Sequence, residues 1–226
     1  CTQSVNIEQH RSITYEDVVH RLRVAQEKRA MTVDFYGGEP TLYPFLAKAV
    51  ARAKAMGFRV TLATNGIRFA SRRYARDFFR IARLDGMRTS LHSQKAEIHD
   101  AVTQVKGSWV KTVQGIRNIL DFEQKLTVNI VINRWNYEDL PLITTFVRGL
   151  GVRGIKYSGI NFSGRILTNP DLCFSHAFYK QQLFSAVSLA KKSGFLLIEI
   201  QGIPGKVIQE GGLTGVRLLC GGTNIG

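Results

Sequence analysis

Val33-Asp34-Phe35-Tyr36 runs directly into Gly37-Gly38-Glu39-Pro40, so a short apolar stretch stops in two residues without side chains, a carboxylate and a proline. Glycines at a strand end let main-chain groups approach a ligand closely, and carbonyl or carboxylate acceptors beside them suit an ammonium group. Thr64-Asn65-Gly66 closes a second apolar run and reads either as polar contacts at a sheet rim or as an Asn-Gly turn. Ser90 and His92 share one parity of a third run. His92 has the chemistry of a general acid, a substrate contact or a satisfied interior imidazole. Asn129 and Asn133 share one parity of a fourth run, and an amide offers donors and an acceptor to a diol, or to a second amide. His99-Asp100 reads as loop structure. Cys1, Cys173 and Cys220 form no Cys-x-x-Cys pair and no even framework, which argues against a disulfide scaffold and for a reducing, cytoplasmic setting. Phosphate loop, serine elbow, His-Glu-x-x-His and dinucleotide glycine patterns are all absent from the sequence.

The elements that must position these groups alternate between helical and strand periods about every thirty residues, without self-similarity, which predicts βα units. Thr14 with Glu16 and Asp17 predicts a capped helix through Val18, Val19, Leu22 and Ala25, followed by a strand over 32–36. A helix over 43–56, opened by Pro44 and closed by Gly57, leads to a strand over 58–64. Next come an arginine-rich helix over 72–83, a strand over 87–92, a helix over 108–122 capped by Ser108 and a strand over 126–133. A helix over 137–149, a strand over 154–158, a helix over 175–192 and a strand over 195–200 complete the pattern, and residues 202–226 have no period. Along three strands apolar residues alternate with polar ones: Arg59, Thr61 and Ala63; Arg88, Ser90 and His92; Thr127, Asn129, Val131 and Asn133. If helices cover the apolar face, these polar groups converge on a concave interior suited to a ligand or to water.

The expected architecture is α/β: a partial (β/α)6 TIM-like barrel of about six parallel strands over residues 1–201, with 202–226 as an irregular extension or the start of a further domain. No run of eighteen apolar residues and no charged-then-apolar leader is present, so neither a membrane span nor a signal peptide is read. Beginning on Cys1 and ending in a loop-like Cys220–Gly226 stretch, the sequence reads as a piece of a longer protein. A net charge of +14 suits nucleic acid or an acidic partner. However, Arg72, Arg76, Arg80 and Arg83 share a helical face opposite Tyr74, Phe78 and Ile81, the pattern of a solvated amphipathic helix.

Cys1, then a helix, then a strand ending in Gly37-Gly38-Glu39-Pro40 resembles the radical S-adenosylmethionine (radical SAM) superfamily, and the likeness extends in order to about Arg165. The resemblance implies that Cys1 is the third of three cysteines ligating a 4Fe-4S cluster. The other two, and the first barrel strand, would lie upstream. It implies that Gly37, Gly38, Glu39 and Pro40 contact the methionine amino group of S-adenosyl-L-methionine, that Thr64 and Asn65 border its pocket, and that Ser90 lies near its ribose and carboxylate. Asn129 or Asn133 would meet ribose hydroxyls, and Gly159 to Arg165 would border adenine and substrate. The implied activity is reductive cleavage of S-adenosylmethionine to a 5′-deoxyadenosyl radical that takes hydrogen from a substrate, a peptide or protein among the candidates. The electron would come from a donor such as a flavodoxin or ferredoxin. Cys220 would open an auxiliary cluster or be a buried thiol. The alternative is a degenerate, non-catalytic barrel that binds nucleic acid or an acidic partner through its basic surface.

Overall fold

The computed structural model describes residues 13–160, 176–203 and 215–219. Among them seven strands and seven α-helices alternate in two compact units, one comprising residues 13–89 with Lys111–Leu126, the other Ser90–Val110 with the described residues from 127 onward.

In the first unit α1 (Tyr15–Glu27) starts at a reciprocal cap: the Asp17 amide donates to Thr14 Oγ1 at 3.1 Å and the Thr14 amide to Asp17 Oδ2 at 3.0 Å. Strands β1 (Thr32–Phe35), β2 (Arg59–Thr64) and β3 (Gly86–Ser90) pair in parallel, with Phe35 opposite Leu62 and Thr64 opposite Thr89. Between β1 and β2, α2 spans Leu46–Ala55 and buries Leu46, Ala49, Val50 and Ala53, the one-sided stripe that a 3.6-residue period produces. It starts later than the expected 43: Pro40–Leu42 forms a 3-10 turn of its own with Pro40 at the opening position, so Pro40, not Pro44, initiates helical structure here. Gly57 closes α2 in the left-handed conformation at φ +88°.

Helix α3 (Arg72–Ile81), capped by Ser71, buries Ala75 and Phe78 and exposes its arginines. Arg72 pairs with Asp121, and Arg73 and Arg76 with Asp77, as expected of a solvated face, although Ile81 is exposed too. The larger part of α5 (Ser108–Asp121) belongs to this unit and contributes Val113, Ile116 and Ile119 to a core with Val60, Leu62, Phe69 and Met87. Fully burying each such side chain contributes roughly 1.5–3 kcal/mol.

The second unit holds α4 (Ala96–Thr103), β4 (Leu126–Val131), α6 (Leu140–Gly149), β5 (Gly154–Ser158), α7 (His176–Lys192), β6 (Leu197–Gln201) and β7 (Arg217–Leu219). Strands β4 to β7 are parallel neighbours in that order. Ile155 and Tyr157 of β5 turn to the helices, where the Tyr157 hydroxyl and Thr144 Oγ1 of α6 lie 2.7 Å apart. The other face carries a register row of Asn129, Lys156, Glu199 and Arg217. Lys156 donates to Gln201, and Arg217 lies 3.6 Å from Glu199.

Two expectations are corrected. Strands number seven among the described residues rather than six, because β7 lies in the stretch read as irregular. Three residues are too few to display a period, and pairing with β6 makes the strand. His99-Asp100 is helical, within α4, rather than loop. No helix among the described residues is long and apolar enough to cross a membrane.

Candidate functional site

In the first unit the Gly-Gly-Glu-Pro stretch forms the rim at the C-terminal ends of β1 and β2, and its geometry is set by Glu39. Oε1 of Glu39 accepts from the Thr41 amide at 3.1 Å, Thr41 Oγ1 at 2.7 Å and Thr64 Oγ1 at 2.6 Å, and Oε2 accepts from the Asn65 amide at 2.7 Å. Thr41 and Thr64 are only 1% and 7% exposed. The carboxylate therefore ties the end of β1 to the end of β2 and holds the rim rather than pointing into open space. Arg68 adds a second tie, donating to the Thr41 carbonyl at 2.7 Å.

What remains for a ligand is main chain. Gly37 adopts φ +142°, a conformation that side-chain-bearing residues rarely take, and a Cβ built on Gly38 would meet nothing within 4 Å. The backbone there faces open space on a fixed frame, the arrangement that a ligand ammonium seeking carbonyl acceptors requires.

Thr64 and Asn65 come together with Glu39, in different roles. The Thr64 hydroxyl is engaged on both sides, donating to Glu39 and accepting from the Gly66 amide at 3.2 Å, so Thr64 supports the rim. Asn65 is exposed; its Oδ1 accepts from the Ile67 amide at 2.9 Å, while its side-chain amide group has no partner among the described residues. Helix α5 fixes this turn from behind. Thr112 Oγ1 donates to the Asn65 carbonyl at 3.1 Å, Asn118 Nδ2 donates to the carbonyls of Phe69 and Ala70, and Gly115 lies so close that a Cβ there would strike the Gly66 carbonyl. Sequence reading missed Thr41, Arg68, Thr112 and Gly115. The one local signal was Glu39 directly before Pro40, an acid capping a turn that proline opens.

The remaining candidates lie in the second unit. Ser90 is half-buried, and its hydroxyl has no partner among the described residues. Asn129 Oδ1 accepts from Ser158 Oγ at 2.7 Å, which leaves its amino group without a partner there. Asn133 is engaged locally: Nδ2 donates to the Val131 carbonyl at 3.1 Å and Oδ1 accepts from the Trp135 amide at 2.9 Å, so this 2% exposed side chain shapes the turn after β4.

His92 and His99 are 8% and 1% exposed with rings 5.6 Å apart. The His92 amide donates to His99 Nδ1 at 3.1 Å, and the Val131 amide to His92 Nδ1 at 3.4 Å. Burial, with the neighbouring His99 second, pushes His92 down to about 3, and burial pushes His99 down to about 4. Both rings are neutral at ordinary pH. Asp100 organises the start of α5, accepting from the amides of Gly107 and Trp109 and from Ser108 Oγ. Although its burial acts the other way, those bonds hold its carboxyl below the usual range.

No group of three metal-ligating side chains occurs among the described residues. Cys1, Cys173, Cys220 and the stretch Phe162 to Arg165 lie outside them.

Comparison with known proteins gives the geometry its context. The probable GTP 3′,8-cyclase of Saccharolobus islandicus strain Y.N.15.51 is 30% identical over 145 residues, 63% of this chain and 46% of that protein. The chain thus spans about half the length of the curated relatives it matches. A domain of pyruvate-formate lyase-activating enzyme from Bacteroides vulgatus superposes with a TM-score of 0.57 at 16% identity, covering 84% of this chain and 99% of that one. Streptococcus suis SuiB, bound to precursor peptide SuiA, superposes with a TM-score of 0.66 at 14% identity, covering 85% of this chain and 43% of that one. At such identities the structural likeness establishes the fold, an α/β partial barrel of the TIM type. The sequence model of the radical SAM superfamily matches residues 1–147, well over half of the chain, and the chain belongs to that superfamily.

Proposed function

We propose that this chain is the cofactor-binding barrel of a radical SAM enzyme, which binds S-adenosylmethionine at the Gly37-Gly38 rim and a 4Fe-4S cluster through Cys1 with further cysteines. The observation that carries the reading is the open main chain at Gly38, framed by a carboxylate that takes four hydrogen bonds. Main-chain acceptors at Gly37 and Gly38 would hold the methionine ammonium, and the Asn65 amide group would donate to the cofactor from the neighbouring strand end. Glu39 and Thr64 keep these groups in place, since a rim tied at both strand ends loses little order on binding. Bound together, cluster and S-adenosylmethionine supply one-electron cleavage of the sulfonium and, with it, hydrogen-atom abstraction from a substrate. SuiB's complex with its precursor peptide supports a peptide or protein as substrate.

Gly38→Val separates this role from folding. The new side chain meets no protein atom at its Cβ, so the melting temperature should stay near that of the wild type. Affinity for S-adenosylmethionine in an equilibrium binding assay should fall about tenfold or more, the scale of a misfit of one or two carbons in a pocket. Unchanged affinity would overturn the assignment.

A further inference from the structure

Arg88 lies in the middle of β3 with Met87 and Thr89 on either side of it. Those two are 4% and 1% exposed, on the covered face of the strand, while Arg88 turns to the opposite, polar face and is half-buried. The register places Ala63 opposite Arg88 and Gly86 opposite Thr61, so its neighbour on the β2 side is a methyl group, while along β3 the same face carries the hydrogen of Gly86 and, two residues further along, Ser90. Asp34 of β1, paired in register with Thr61, accepts from Thr61 Oγ1 at 2.8 Å and makes no ion pair with Arg88.

Several other arginines, including Arg148, which is half-buried like Arg88, find acceptors. Arg68 and Arg148 donate to carbonyls, and Arg72, Arg76 and Arg217 meet carboxylates. Arg88 has no carboxylate, carbonyl or aromatic partner among the described residues. A half-buried guanidinium with five donors and no acceptor is costly unless something supplies the acceptor, and its planar fork matches a carboxylate or phosphate edge. The row of Ala63 and Arg88 comes one residue before that of Thr64 and Thr89, so Arg88 stands one residue below the strand-end rim that Glu39 holds, on the face opposite the Thr64 side chain. The net charge of +14 draws anions toward the molecule as a whole.

We propose that Arg88 anchors an anionic group of the substrate, a carboxylate or a phosphate, beside the S-adenosylmethionine site. This rests on the cofactor assignment above and adds the chemical class of the substrate to it.

The test follows the arginine Nε–H signals of the isotope-labelled protein by NMR, with Arg88 identified by its absence in Arg88→Lys. Inorganic phosphate and N-acetylglycine are titrated separately. A saturable shift of the Arg88 signal with phosphate assigns a phosphoryl substrate, and one with N-acetylglycine assigns a carboxylate substrate. Arg88→Gln should weaken that binding about tenfold or more, and Arg88→Lys, which keeps charge but not the fork, should weaken it less. Affinity for S-adenosylmethionine should stay within about twofold of wild type in both variants, below the scale of one lost charged hydrogen bond. An Arg88 signal unmoved by either anion overturns the proposal, as does a collapse of S-adenosylmethionine affinity in Arg88→Gln, which would put Arg88 on the cofactor. The titration needs no cofactor, so failure of the wild type to bind S-adenosylmethionine would overturn the cofactor reading, while an unmoved Arg88 signal overturns this one.

Discussion

Replacing Glu39 by alanine should destabilise the protein through a mechanism visible in the structure. The carboxylate accepts four hydrogen bonds, three of them from the side chain and amide of Thr41 and the hydroxyl of Thr64, residues with almost no access to water. A hydrogen bond to an ionised group contributes about 1.5–3 kcal/mol net, and a buried donor left without an acceptor costs about 1–3 kcal/mol. Water can replace the acceptor at the exposed Asn65, and a hydroxyl can rotate, so two of the four bonds represent the net loss. That comes to about 3–6 kcal/mol. For a chain of this size each kcal/mol lowers the melting temperature by about 2–4 °C, which places Glu39→Ala roughly 6–24 °C below wild type. Glu39→Gln keeps one acceptor oxygen but turns an amino group toward the Asn65 amide, and should lose about 1–2 kcal/mol. Urea unfolding followed by Trp109 and Trp135 fluorescence measures both. If both variants unfold within about 0.5 kcal/mol of wild type, the four bonds do not hold the rim and the reasoning fails.

Two further predictions follow from packing and from charge. Gly115→Ala forces a methyl group against the Gly66 carbonyl and should cost about 1–3 kcal/mol, read as a lower melting temperature; a variant as stable as wild type would show that α5 can move away from the Asn65 turn. His92 and His99, pushed down to about 3 and about 4, are neutral when folded but bind protons when unfolded below about pH 6.5. The unfolded state therefore holds more protons, and stability should fall as pH drops from about 6.5 toward 4, by about 2 kcal/mol per histidine between pH 7 and 5. Urea unfolding at those two pH values should show this loss, roughly halved in His99→Gln; a flat profile would refute it.

The order of elements and the α/β class were legible in the sequence because they rest on local periods. Thr14 with Asp17 specifies the start of α1 by a cap closed within four residues, and the alternation along Arg59–Thr64 and Leu126–Val131 states which side chains face the helices. The Gly37-Gly38 rim was legible for a similar reason, since chain conformation without side chains is written in residue type. Roles that depend on distant partners were not legible. Glu39 reads along the chain as a free acid beside two glycines, yet Thr64 and Asn65, 25 and 26 residues away, turn it into a tie between strands. Asn133 and Asn129 have the same parity, but the turn after β4 engages the first on both sides while Ser158 leaves the amino group of the second available. Arg88 looks like any of the chain's arginines until the register sets it beside Ala63, with no ion-pair partner among the described residues. Alone, then, the sequence determined where strands and helices form, which residues share a face and where main chain is bare. Which polar group is engaged and which is left for a ligand was decided by the tertiary structure, because hydrogen bonds form between neighbours in space and those neighbours lie tens of residues apart in the chain.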